Sequence, residues 1–243
     1  MRASNTENIQ FPPYGINGIT QNEMYFIDIP GQIPEPEIPT KEEDKKRHIN
    51  IFKQFLIPRV YKTAIIAFMI FFVINYVYDV TVVMVFGNTL QSSSNQQAVD
   101  TFLKSPSIKK MIYFCVIGPV IEEFIFRSII FKVLHWIGKK VQEKNKFFGI
   151  TIRILAFFIS SFIFAFAHFN FNFKILRKER FNFPPYFMMG IIFAITYDLD
   201  GYLLASILTH VINNTVSTIY TLTSVTNEGM MVFYLIKLIV KVI

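Results

Sequence analysis

One cysteine in 243 residues, Cys115, excludes an intramolecular disulfide and any zinc site assembled from thiolates. It is expected to pack as a small hydrophobe. Charge is also scarce, at 17% of residues against 52% hydrophobic. A water-soluble domain of this length would need more charge to cover its surface. No charged leader followed by a short apolar core opens the chain, so no cleaved signal peptide is expected. No internal repeat is visible, which argues against a transporter. Phenylalanine, by contrast, is abundant, with 28 residues. Several mostly apolar runs of about 17–25 residues can each cross a hydrocarbon core of roughly 30 Å.

The formal net charge of +7 does not read as a nucleic-acid footprint, because the basic residues flank the apolar runs. Lys53, Arg59 and Lys62, the run Lys139 to Lys146, and Arg177, Lys178 and Arg180 stand where membrane helices meet headgroups. Residues 1–52 differ from the rest: Pro12, Pro13, Pro30, Pro34, Pro36 and Pro39 precede a mixed-charge run from Lys41 to Arg47. Prolines at that density prevent a helix, and there is little apolar surface to bury, so a flexible polar extension is expected.

The remainder, 53–243, reads as an all-α polytopic transmembrane helix bundle of about six membrane segments. Helices are expected over 61–86, 109–137 and 148–169, from Pro184 to Tyr197, and from Gly201 to Thr223, with a shorter apolar segment over Gly229–Ile243. Residues 87–107 read as a polar loop, and Asp198-Leu199-Asp200-Gly201 as a tight turn. Asn75 and Asp79 are expected to line a cavity or to lie near the interface, and His135 beside Trp136 to be interfacial. Orientation stays open: a cytoplasmic N-terminus puts Lys139 to Lys146 inside but leaves Lys174 to Arg180 outside if every segment crosses.

The second helix carries Glu122, Glu123 and Arg127 within apolar sequence. At mid-bilayer each such charge costs about 2.5–3.5 kcal/mol. Glu123 and Arg127 are four apart and share a face, so they can pair. Glu122 lies about 100° around the helix and cannot duplicate that bond. A carboxylate without its own partner is the type of group a general base needs. On the third helix Phe164 is one turn before His168, close enough for its ring to limit the imidazole's rotamers. The fifth holds His210 and Asn214 on one face, as chemistry or as polar glue between helices. Together, three helices bring a carboxylate pair, an arginine, two histidines and an asparagine to membrane depth. General-base hydrolysis needs such a set: a base, a water-positioning group and oxyanion donors.

Glu122-Glu123-x-x-x-Arg127, Phe164-x-x-x-His168 and His210-x-x-x-Asn214 resemble, in order, the three motifs of the CPBP family, which comprises the CAAX prenyl endoproteases and the bacteriocin-processing or Abi-type membrane proteins. The likeness covers 109–223, and Gly118-Pro119 and Asn213-Asn214 also fit it. Where a glycine commonly follows the arginine, this chain has Ser128, a departure expected to touch packing more than chemistry. The resemblance implies an intramembrane glutamic protease without a cofactor. Glu122 and His168 would activate water, His210 and Asn214 would stabilise the oxyanion, and Glu123 and Arg127 would hold the site in shape. The implied partners are a plain or lipidated peptide substrate and membrane lipids; the short length and lack of organelle signals lead to the expectation of a bacterial plasma membrane. Two rivals stand beside it. Glu122, His168 and His210 could instead hold zinc with an open fourth position, although no His-Glu-x-x-His helix is present. Alternatively, the fold could serve as a non-catalytic immunity or scaffold protein.

Overall fold

The computed structural model describes residues 50–87, 92–105 and 107–225, and all regular structure among them is helical. Most of the extension and the segment Gly229–Ile243 lie outside these residues. A short turn, α1 (Ile51–Gln54), leads into α2 (Pro58–Phe86), whose first turn contains the proline tolerated there and whose end is set by Gly87 at φ 72°. At 29 residues, α2 is about 43 Å long, enough to cross a bilayer with tilt. Its outward side exposes Ile65, Met69, Val73 and Val77 to an extent unusual for a surface facing water. α2 and α7 (Lys146–Ala167) are, among the described residues, the two helices long and apolar enough to cross a membrane, with mean hydropathy of 2.0 and 2.2 in their best windows.

The 87–107 region is not all loop. Ser93 accepts a hydrogen bond from the Gln96 amide at 3.1 Å and starts α3 (Ser94–Leu103), in which Gln96 bonds Asp100 one turn on. The signal was a capping box, Ser-x-x-Gln, in a segment too polar to read as a membrane helix.

The expected helix over 109–137 runs from 108 to 142 with two π-helical interruptions. It consists of α4 (Ile108–Ile112), a π-helical turn π1 (Tyr113–Ile117), α5 (Gly118–Glu123), a second π segment π2 (Phe124–Phe131) and α6 (Lys132–Gln142). Segments of π-helix are frequent at functional sites, and these two flank the six residues that carry both glutamates. Within π1 the Gly118 amide reaches back five residues to the Tyr113 carbonyl. The next donor in that series would be residue 119, which is a proline and has none. The Phe114 carbonyl is thereby left for another partner.

α7 packs antiparallel between α6 and α9 (Phe183–Asp200) through small residues. A Cβ on Gly149 would lie 2.3 Å from Gln142 Cα, and one on Gly190 would lie 2.9 Å from Ser161 Cα. From the Ser161–Gly190 crossing, two turns along α7 lead to His168 and one turn back along α9 leads to Tyr186. After His168 the chain reverses through Asn170 and Phe171, both at φ 53°, and Phe166 packs on Phe171 and Phe173. The short helix α8 (Phe173–Lys178) and a 3₁₀ turn follow before α9.

The expected Asp198–Gly201 turn is corrected. α9 continues through Asp200, and Gly201 alone supplies the left-handed stop at φ 75°. Asp200 instead pairs with Arg59 at 2.9 Å and accepts from Thr63, tying α9 to the start of α2. α10 (Leu203–Val225) begins with its Leu204 amide donating to Gln54 of α1. His135 is also not interfacial: it is 3% exposed and accepts from Arg153 Nε at 3.0 Å, while Arg153 also donates to Gln142.

Candidate active site

The residues singled out on three helices converge on one cavity of about 260 Å³, lined by Glu122, His168, His210 and Asn214 together with Tyr186 and part of α3. Glu123 and Arg127 lie behind its wall, both fully buried. The one-position offset between the two glutamates decides this difference, because about 100° of rotation turns one carboxylate to the cavity and the other into the bundle.

Glu123 does more than pair with Arg127. Arg127 Nε lies 3.2 Å from Glu123 Oε2, and Ser206 of α10 donates to that same oxygen. The other oxygen, Oε1, lies 3.2 Å from His210 Nδ1. A carboxylate only accepts here, so Nδ1 carries a proton and the ring is held with Nε2 turned the other way, 3.9 Å from Glu122 Oε2. Glu123 thus links the first and third motifs, a bond between helices that spacing along one helix does not predict. The Arg127 guanidinium rests over the rings of Phe164 and Phe193, 4.8 and 5.6 Å from their centroids, which offsets part of the cost of burying it.

Phe164 is fully buried and is the hub of the site. Its ring centroid lies 4.9 Å from His168 and 5.9 Å from His210, and its carbonyl accepts from His168 Nδ1 at 2.9 Å. With Nδ1 donating, neutral His168 keeps its Nε2 lone pair as an acceptor. Its other side stacks on Tyr186, 4.3 Å between centroids and 26° between planes. Phe193 packs 4.7 Å from the His210 ring.

Asn214 Nδ2 donates to the Phe114 carbonyl at 3.2 Å, the group that Pro119 leaves without a backbone donor. Gly118-Pro119 and Asn214 are therefore two halves of one contact. A second N–H remains on that nitrogen, and Asn214 Oδ1 accepts from Asn213 at 3.4 Å. Glu122 Oε2 is buried without a hydrogen-bond partner among the described residues, as are the Arg127 guanidinium nitrogens, but of the two side chains it is Glu122 that lines the cavity.

Sequence reasoning missed Tyr186, Ser206 and the α3 face. The Tyr186 hydroxyl lies 3.2 Å from both Ser93 Oγ and Asn95 Nδ2, and the Glu179 carboxylate caps Ser94 at the start of α3. Asn95, Gln96 and Val99 close one side of the cavity. Among the described residues no group of three or more His, Cys, Asp or Glu side chains is arranged to hold a metal ion.

The chain is similar to two curated bacterial proteins. It is 28% identical over 162 residues to the membrane-embedded CAAX protease MroQ of Staphylococcus aureus (strain USA300), covering 67% of this chain and 57% of that protein. It is 32% identical over 143 residues to YdiL of Bacillus subtilis (strain 168), named as a candidate membrane peptidase, covering 59% of this chain and 49% of that one. The chain thus spans about half the length of these relatives. No solved structure matches it. Residues 104–216, which contain all three motifs, match the model of the type II CAAX prenyl endopeptidase Rce1-like family.

Proposed function

We propose that this chain is a multi-pass intramembrane endopeptidase of a bacterial plasma membrane that hydrolyses peptide bonds by general-base catalysis from Glu122. The observation that carries the reading is the buried Glu122 Oε2, without a hydrogen-bond partner on the wall of a cavity it shares with His168, His210 and Asn214. Water accepted into that cavity donates one hydrogen to Glu122 and the other to His168 Nε2, both of which are acceptors. Glu122 takes the proton as the water oxygen attacks the scissile carbonyl carbon. The oxyanion that forms receives N–H groups from Asn214 Nδ2 and His210 Nε2. With Nδ1–H held by Glu123, His210 donates from Nε2 only when it carries both protons, a charge that the Glu123 carboxylate balances. Glu122 then returns its proton to the departing amine, and a carboxylic acid and an amine leave.

The names of the curated relatives support a peptide substrate, the matched family model supports prenylated CAAX-type peptides as the class to try first, and the motif resemblance adds bacteriocin-type peptides. The test is cleavage in liposomes of plain and prenylated peptides by the wild type, Glu122→Gln and His210→Ala. Cleavage by the wild type that is lost in Glu122→Gln and insensitive to chelator is the expected result. Activity that survives Glu122→Gln sinks the mechanism, and activity lost to chelator and restored by zinc makes it metal-dependent. A folded wild type that cuts neither class favours the immunity or scaffold reading.

A further inference from the structure

A second cavity of about 520 Å³ opens beside the first and shares Gln96, Tyr186, Met189, Asn213 and Ser217 with it along a common wall. Its far wall is one face of α2: Phe68, Phe71, Phe72, Asn75 and Asp79. Those residues follow helical spacing, so they form a single stripe about 16 Å long, apolar at one end and acidic at the other. An extended peptide of about five residues has that length. At the acidic end Asp79 is half-buried, and its polar partner among the described residues is the Asn75 amide, Nδ2 to Oδ2 at 3.3 Å. The guanidinium of Arg180, on the neighbouring loop, lies over the Phe181 ring instead. An amide does not neutralise a carboxylate, so this stretch of the groove holds a negative charge that no cation of the described chain balances.

We infer that this cavity is a substrate subsite in which Asp79 selects peptides bearing a basic side chain, Lys or Arg, within about five residues of the scissile bond, while Phe68, Phe71 and Phe72 take apolar side chains between them. The inference rests on the peptide-cleaving reading above. In a groove with such apolar walls, a cation opposite Asp79 gains a charge-assisted pair, and an acidic side chain there meets like-charge repulsion.

The experiment uses the full chain in liposomes and one peptide series in which Lys, Gln or Glu is scanned through the five positions on each side of the cut. Wild type is expected to cut the best Lys peptide about tenfold more efficiently in kcat/KM than its Glu counterpart. Asp79→Asn should bring that ratio close to one, and Asp79→Lys should reverse it. Each ratio is read on a single preparation, so a reduced folded fraction cancels. The same series is bound to Glu122→Gln protein through a photo-crosslinking side chain, which needs no turnover. Crosslinking that favours Lys and is equalised by adding Asp79→Asn supports the subsite even if hydrolysis fails. Gln peptides cut by the wild type with no Lys-over-Glu preference, or a preference unchanged by Asp79→Lys, overturn the subsite but leave the protease reading intact. Absence of both cleavage and crosslinking overturns both.

Discussion

The chain holds two polar clusters of similar composition, one half-buried and one fully buried, that are built to different ends. One holds His135, Arg153, Gln142 and Asp198 where α6, α7 and α9 meet; the other holds Glu123, Arg127, His210 and Ser206 where α5, π2 and α10 meet. Each contains a histidine, an arginine and an acid. In the first, the polar groups are spent on one another: Arg153 donates to both His135 and Gln142, and His135 stacks on Phe131. In the second, the network stops one residue short, and Glu122, its immediate neighbour, faces a cavity with a buried oxygen unpartnered. A satisfied cluster locks helices together, whereas one that ends on a carboxylate oxygen without a hydrogen bond can take up a proton.

That comparison can be broken by substitution, and the single buried thiol of Cys115 offers a built-in reporter of unfolding. Glu122→Gln is expected to lower kcat/KM by about 10²–10⁴ while the melting midpoint hardly moves, since no folded-state bond is lost. A large drop in melting would return Glu122 to a structural role. Arg127→Ala is expected to lose about 3–5 kcal/mol of stability and activity with it, because Glu123 stays buried without its counter-ion. Gly190→Val, at the crossing that brings His168 against Tyr186, should cost about 1–3 kcal/mol through overpacking. It should also lower the activity of the protein that remains folded, measured by active-site titration. His135→Ala should cost about 1–3 kcal/mol by stranding Arg153, yet leave kcat/KM per folded molecule within about threefold. If His135→Ala instead abolished turnover without loss of stability, the contrast between the two clusters would fail.

Much of this site was readable from residue order alone. Glu123 and Arg127, Phe164 and His168, and His210 and Asn214 are each four apart, and helical periodicity carried each pair onto one face. Contacts between helices were not readable in the same way. Glu123 to His210 spans 87 positions and Asn214 to Phe114 spans 100, distances at which no periodicity operates. His135 misled because its neighbour Trp136 is a plausible interfacial anchor, whereas burial is set by the α7 surface packed against it. α3 was missed because its hydropathy is low, although its Ser-x-x-Gln start was present.

The sequence by itself determined that the chain is helical and membrane-seeking, that Glu122 cannot share the Arg127 bond, and that residue 119 donates no hydrogen bond. These follow from apolar run length, from 3.6 residues per turn and from the ring of proline. Only the tertiary structure decided which carboxylate faces the cavity, which ring nitrogen each histidine turns towards it, and that one face of α2, Asp79 included, walls a second cavity beside it. Those outcomes depend on how helices distant in sequence cross, and the crossings are set by small residues such as Gly149, Ser161 and Gly190, where backbones come close enough to fix the angle.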